Sequence, residues 1–222
     1  LYMSSDINEI ANRADILIFV VPSAFFPETV KQLTTDISNK QIVSAIKGLI
    51  PEKDLTISEF FRQTHNNGQD SIGIITGPCH SEEIALEQIS YLTIASENKV
   101  LRKYVASSLE CRYLKTILAK YVVGLEYAAI IKNIIAIAAG ICHGLGFGDN
   151  FQSVLVANAF REMKRFISAF SSTKRKINSS AYLGDLLVTS YSQFSRNRTF
   201  GNMIGKGYSV RSALIDMNMI AE

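Results

Sequence analysis

ADILIFVVPS, residues 14 to 23, is a near-continuous apolar run that ends abruptly in Pro22-Ser23. A strand buried on both faces of a parallel sheet reads this way, whereas a half-exposed strand alternates apolar and polar residues. The segments that follow switch period in turn. PETVKQLTTDI (27 to 37) reads as a helix with Pro27 in its first turn, QIVSAIKG (41 to 48) as a strand, and LTISEFFRQTH (55 to 65) as a helix. SIGIITGP (71 to 78) is a further strand, and SEEIALEQ (81 to 88) opens with a serine and glutamates, a helix-start signature. ISYLTIAS, a helix over 98 to 110 and RYLKTIL complete the series. Strand–helix alternation of this kind predicts an α/β layer with a largely parallel sheet.

From Tyr121 the pattern becomes helical throughout: 121 to 145, 150 to 170, then shorter pieces at 181 to 191, 196 to 205 and 209 to 221. The expected organisation is an α/β part over 1–119 followed by an all-α part over 120–222. In open α/β sheets ligands sit beyond the carboxyl ends of strands. Three such ends carry Pro22-Ser23, Lys47-Gly48 and Gly77-Pro78. Each also has a plain reading as turn chemistry, and a lone strand-end lysine is commonly a solvated charge.

Composition narrows the function classes. With 222 residues, 47% hydrophobic, 19% charged and a net charge of +3, the chain suits a soluble globular protein of one or two domains. The charge is too small and too scattered to point to nucleic acid, and the single basic run, Lys174-Arg175-Lys176, reads as a solvated loop. Cys79, Cys111 and Cys142 are odd in number and lack metal-type spacing, so a reduced, cytoplasmic protein without a metal site is expected. The apolar run after Gly124 is broken by Lys132-Asn133 and reads as shorter than the ~20 residues a membrane span needs, so no membrane insertion is expected.

That run, GLEYAAIIKNIIAIAAG (124 to 140), poses its own question. A helix apolar almost all round belongs in an interior, and a lysine is rarely buried there without a partner. Desolvation drives a lysine toward proton exchange. On a helix Lys132 lies along a stripe of small residues, Ala128, Ala129, Ala136, Ala139 and Gly140, which lets either another helix or a ligand approach closely.

A second constellation, GDLLVTSYSQFSRNRTFGNMIGKG (184 to 207), gathers Asp185, Thr189, Ser195, Arg196 and Asn197. Arginine's planar fork grips phosphate or carboxylate bidentately, and asparagine donates and accepts beside it. With Ser195 as the cap of the next helix, the first backbone N–H groups face any anion held there. The plain alternative is a polar helix entry whose arginines pair with surface carboxylates.

Taken in order, VPS (21 to 23), AIKG (45 to 48), GP and SEEIA (77 to 85), GLEYAAIIKNIIAIAAGICHGLGFGDN (124 to 150), GDLLVTSYSQFSRNR (184 to 198) and AE (221 to 222) resemble the NAD(P)-dependent glycerol-3-phosphate dehydrogenases of bacterial type, across nearly the whole chain. The resemblance implies a Rossmann-like dinucleotide-binding part over 1–119 and a helical substrate-binding and catalytic part over 120–222, both incomplete. It implies NAD or NADP as cofactor, dihydroxyacetone phosphate and sn-glycerol 3-phosphate as substrates, a homodimer, and supply of a phospholipid precursor.

Residue by residue, Lys132 matches the catalytic lysine, which donates a proton to the carbonyl oxygen or accepts one from the hydroxyl, and Lys47 a second lysine that touches cofactor and substrate. Asn133, Asp185 and Thr189 match polar residues around the reacting end. Ser195, Arg196 and Asn197 match the phosphate-holding segment, Arg196 reaching the cofactor too. Gly77, Cys79 and Ser81 match contacts to substrate and cofactor, Pro22 a cofactor contact, and Ile220 and Glu222 a late one.

The chain departs from the family at two places. The glycine-rich pyrophosphate fingerprint and the segment that reads the ribose 2′ position have no counterpart, so NAD and NADP are both expected, and the start at Leu1-Tyr2 without methionine and the uncapped helical end at Ile220-Ala221-Glu222 lead to the expectation that both termini are cut. Cys79-His80 stands where a small polar and an aromatic residue are usual, and Ser81 where alanine is. His80 and His143 are expected to be structural. Two other classes compete: a related two-domain dehydrogenase of another hydroxy acid, and a non-catalytic phosphometabolite-binding protein, against which the presence of both Lys47 and Lys132 argues.

Overall fold

The computed structural model describes residues 2–51, 53–170 and 177–217. In chain order its elements are α1 (Ile7–Arg13), β1 (Ile16–Phe19), α2 (Phe26–Lys31), β2 (Gln41–Ser44), α3 (Ile57–Thr64), β3 (Ile72–Thr76), α4 (Ser81–Ala85), β4 (Ser90–Ser96), α5 (Lys99–Leu109), β5 (Leu114–Ala119), α6 (Val122–Gly144), α7 (Asp149–Phe170), α8 (Asp185–Tyr191), α9 (Arg196–Gly205) and α10 (Val210–Asp216). The basic run at 174–176 and the family matches Ile220 and Glu222 lie outside the described residues. The chain forms two compact units, one of residues 1–76, 93–111 and 116–126, the other of 77–92, 112–115 and 127–222.

The first unit is built on the sheet, whose five strands run β1-β2-β3-β4-β5. β1, β2 and β3 are parallel, in register Ile16 with Gln41 and Ile42 with Ile72. β4 then runs antiparallel to β3, with Gly73 opposite Ser96. The expected parallel layer thus holds for its first three strands and reverses at the fourth. Nothing in the period of the β4 run sets this direction, since an apolar strand reads the same whichever way it pairs.

β1 also departs from the reading of a strand buried on both faces. It lies at the end of the strand order, and Ile18 is 48% exposed while Leu17 and Phe19 point inward. α1 precedes the expected series altogether. Asp6 caps it, its carboxylate accepting from Asn8 N at 2.8 Å.

The core of this unit is aromatic. Phe61 on α3 and Phe26 on α2 are fully buried and meet edge to face at 5.7 Å, with Phe19 of β1 4.9 Å from Phe61. Such tilted ring contacts add to the gain from burial itself. α3 begins in a reciprocal capping box, Thr56 Oγ1 accepting from Glu59 N and the Glu59 carboxylate accepting from Thr56 N at 2.9 Å.

The second unit is helical. α7 buries Val156, Ala159, Met163 and Ile167 along one face, the spacing of an amphipathic helix. α6, from Tyr127 onward, buries Ala128, Ala129, Lys132, Asn133, Ala136 and Ala139, so the lysine stands in the inward stripe. At 23 residues α6 is long and apolar enough to cross a membrane by length and composition, which corrects the expectation that the run is too short. Its stripe is instead packed against protein, and the close approach that the small residues permit is made by α9. The expected helix at 181 to 191 enters through a π-helical turn, Ser180–Gly184, before α8 begins at Asp185. Wide turns of this kind are rare and recur at functional sites.

Candidate active site

Lys132 lies in the middle of α6 and is 4% exposed; its ammonium meets the Asp185 carboxylate at 2.5 Å. Asp185, 2% exposed, stands at the first position of α8, placed there by the π turn before it. A buried ammonium is tolerated when an opposite charge and hydrogen bonds replace the water it gave up. The charge in the apolar helix therefore has a counter-ion supplied by the chain itself, 53 residues further on.

The pair is incompletely satisfied. Asp185 Oδ1 takes the lysine, while Oδ2 is buried and accepts no hydrogen bond among the described residues. A carboxylate oxygen left in this way is an acceptor available to an ordered water or to a ligand donor. Thr189, one turn along α8, is buried and donates its hydroxyl to the Asp185 carbonyl at 2.6 Å, which spends that proton on the helix. Asn133 is buried beside Lys132 on α6.

The phosphate-seat candidates are brought together at the start of α9. Ser195 is the helix cap, its Oγ accepting from Arg198 N at 3.3 Å. Asn197 is buried, its Oδ1 without a hydrogen-bond partner among the described residues. Arg196 is half-buried and lines a cleft of 340 Å³ with Glu82, Phe194, Thr199 and Met203. Glu82 is held below the usual carboxylate range chiefly by a hydrogen bond to its own backbone, with the Arg196 guanidinium acting in the same direction. Gly77 is buried at φ +120°, a left-handed conformation that excludes side chains, and Cys79 is half-buried two residues on. Ser81, exposed, begins α4 and donates to Glu82 at 3.0 Å. The His80 ring faces Phe194 at 6.1 Å.

In the first unit, the turns at the carboxyl ends of β1 and β2 come side by side. Pro22-Ser23 follows β1 and Lys47-Gly48 follows β2, and a methyl group on Gly48, at φ +107°, would stand 3.0 Å from Ser23 Oγ. In open α/β sheets ligands bind outside the carboxyl ends of the strands, which is where these two turns lie. Pro22 and Lys47 thus fit a dinucleotide.

Sequence reading passed over one buried charge. Glu126, in the first turns of α6, accepts from Ser58 N at 2.9 Å and from the Ser58 hydroxyl. The signal available was an acid inside an apolar helix, the same anomaly as Lys132.

A sheet with nucleotide-type strand ends and a helical unit with a buried lysine–aspartate pair define the class of Rossmann-type dehydrogenases with a helical catalytic part. Residues 1–102 match the family model for the N-terminus of NAD-dependent glycerol-3-phosphate dehydrogenase, and residues 122–222 match that for its C-terminus. A glycerol-3-phosphate dehydrogenase [NAD(P)+] of Prosthecochloris aestuarii is 34% identical over 224 residues, covering 100% of this chain and 68% of that protein. One of Staphylococcus carnosus is 31% identical over 99% of this chain and 67% of its own length. The crystal structure of glycerol-3-phosphate dehydrogenase from Coxiella burnetii superposes with a TM-score of 0.86 at 26% identity, covering 97% of this chain and 66% of that one. The chain belongs to the NAD-dependent glycerol-3-phosphate dehydrogenase family and spans about two thirds of the length of these relatives.

Proposed function

We propose that the protein interconverts dihydroxyacetone phosphate and sn-glycerol 3-phosphate with NAD or NADP, the activity for which its relatives are named. The observation that carries this reading is the buried Lys132–Asp185 pair, in which Asp185 Oδ2 has no hydrogen-bond partner among the described residues.

The chemistry supplied by a bound nicotinamide is hydride transfer at the carbonyl carbon. Lys132, as an ammonium, gives a proton to the carbonyl oxygen as that oxygen gains charge; in the reverse direction its amine takes the hydroxyl proton. Asp185 Oδ1 orients the ammonium, and Oδ2 accepts a substrate hydroxyl, so one carboxylate serves both proton carrier and substrate. Asn133 and Thr189 flank the reacting end. Arg196 grips the phosphate with its guanidinium fork, assisted by Asn197 and the N-terminal N–H groups of α9 behind Ser195. By the family resemblance alone, Pro22, Lys47, Ser81, Arg196, Ile220 and Glu222 would hold the dinucleotide, and Lys47, Gly77 and Cys79 would contact substrate.

The division of labour in this reading is dinucleotide binding by 1–119 and catalysis by 120–222. The reading also includes a cytoplasmic homodimer without membrane insertion that supplies a phospholipid precursor, supported by the family resemblance. Light scattering and cell fractionation test those two parts.

The decisive experiment is oxidation of NADH and NADPH by the full-length protein with dihydroxyacetone phosphate, beside Lys132→Ala. The variant is expected to lose about 10²–10⁴ in turnover. Absence of turnover in the wild type with either cofactor would remove the reading, and near-normal turnover in the variant would remove the role of Lys132.

A further inference from the structure

α6 and α9 touch backbone to backbone. A methyl group added to Gly140 would overlap the Arg198 carbonyl oxygen and stand 2.8 Å from Asn202 N; one on Gly144 would stand 2.9 Å from the Gly205 Cα. From the other side, a methyl on Gly201 would overlap the Ile137 carbonyl and lie 3.0 Å from Ile141 N, and one on Gly205 would overlap the Ile141 carbonyl. Each helix thus sets two glycines, four residues apart and so on one face, into the peptide groups of the other. Nothing in this contact is the movable end of a side chain, so it cannot give locally, and a methyl at any of the four positions must shift a helix.

The direction of the contact matters. Gly140 meets Arg198 and Asn202, while Gly144, one turn on, meets Asn202 and Gly205, and Ile137 and Ile141 meet Gly201 and then Gly205, so the helices run the same way through the contact. The N-terminus of α9 therefore falls on the same end as Lys132, which lies five residues before Ile137, about 7.5 Å along the axis. Arg196 lies two residues before Arg198. Both ends of the proposed substrate site are then carried on one rigid joint, its proton carrier on α6 and its phosphate seat on α9.

We propose that Gly140, Gly144, Gly201 and Gly205 are positioning residues for the reaction: their interlocked backbones set the distance between Lys132 and the phosphate seat of Ser195, Arg196 and Asn197, and so select a substrate with phosphate at that span from its carbonyl. This rests on the functional reading above. A displacement of an ångström between reacting and holding groups is enough to cost about 10²-fold in rate, and a methyl between two helix backbones forces a shift of that order.

The test compares full-length wild type, Gly140→Ala, Gly201→Ala and Gly144→Ala by circular dichroism, thermal melting, and kcat/KM for dihydroxyacetone phosphate and for dihydroxyacetone. Gly68→Ala, with nothing within 4 Å of the added methyl, is the control. The folded variants are expected to lose at least about 10-fold in the ratio of the two kcat/KM values, measured well below their melting temperatures, with Gly68→Ala unchanged. Gly144→Ala, at the end of α6 away from the phosphate seat, loses less than Gly140→Ala and Gly201→Ala but still about 10-fold. If Gly140→Ala and Gly201→Ala do not fold, Gly144→Ala decides the matter. A lowered melting temperature with an unaltered ratio would overturn the proposal, because mere loss of packing affects both substrates alike. A wild type with no preference for the phosphorylated substrate would instead overturn the functional reading.

Discussion

Glu126 places its carboxylate on the N-terminus of α3, where one oxygen accepts from the Ser58 backbone N–H at 2.9 Å and the other from the Ser58 hydroxyl. These bonds favour the charged form, but burial works against it more strongly and pushes the carboxyl up from 4.5 to about 7.

The sign of the pH dependence follows. With its pKa raised by folding, Glu126 keeps its proton in the native state between pH 4.5 and about 7, while the unfolded chain releases it. Its contribution is fully present below pH 4.5 and is lost as pH rises through about 7. Glu126→Gln keeps an acceptor for Ser58 N and carries no charge. It should therefore stabilise the protein at pH 8 by up to roughly 3 kcal/mol, with the gain vanishing toward pH 4. Denaturant titrations of both proteins across that range check this, and parallel stability curves would refute it.

The Lys132–Asp185 pair should behave as a unit in stability and not in activity. Asp185→Ala leaves a buried ammonium without its counter-ion, at a cost of about 3–5 kcal/mol. Replacing both members, Lys132→Met with Asp185→Leu, should recover most of that loss, because two apolar side chains need no solvation. Activity should stay absent in the double variant. Urea unfolding of the single and double variants measures the coupling, and additive losses would mean that the two charges do not support one another.

Arg196→Ala should act on recognition. Losing charge-assisted bonds worth about 1.5–3 kcal/mol lowers kcat/KM for dihydroxyacetone phosphate by roughly 10- to 100-fold. Activity on dihydroxyacetone, which has no phosphate to hold, should scarcely change. Steady-state kinetics on the two substrates decide it; equal losses on both would show that Arg196 does not read the phosphate.

Phe61→Ala tests the aromatic core. Phe61 is fully buried against Phe19, Phe26 and Phe60, so truncation should cost about 3–5 kcal/mol. Thermal melting of the full-length variant should show this directly, and a loss under about 1 kcal/mol would mean that the cluster closes over the cavity.

Much of the fold was legible because it depends on local period. The apolar runs at 16–19, 41–44 and 72–76 became parallel strands, and the long pattern after Tyr121 became α6 and α7. The strand runs were read a few residues too long at their carboxyl ends, where Pro22, Lys47-Gly48 and Gly77-Pro78 turn the chain away. Arg196, Asn197 and Ser195 were legible as a group because a helix start and its cap lie within consecutive residues.

What the sequence by itself determined, then, was whatever is written within a few turns of chain: element type, the anomaly of a lysine in an apolar helix, and the family motifs in their order. The tertiary structure alone decided what depends on meetings across long stretches. The direction of β4 is one such case, since an apolar run has the same period whichever way it pairs. The partner of Lys132 is another, because a counter-ion 53 residues away leaves no local trace. The close approach at the glycines is a third: Gly140 on α6 and Gly201 on α9 each read as a small residue on a helix face. Only when the two backbones meet does the missing Cβ become the condition for the contact.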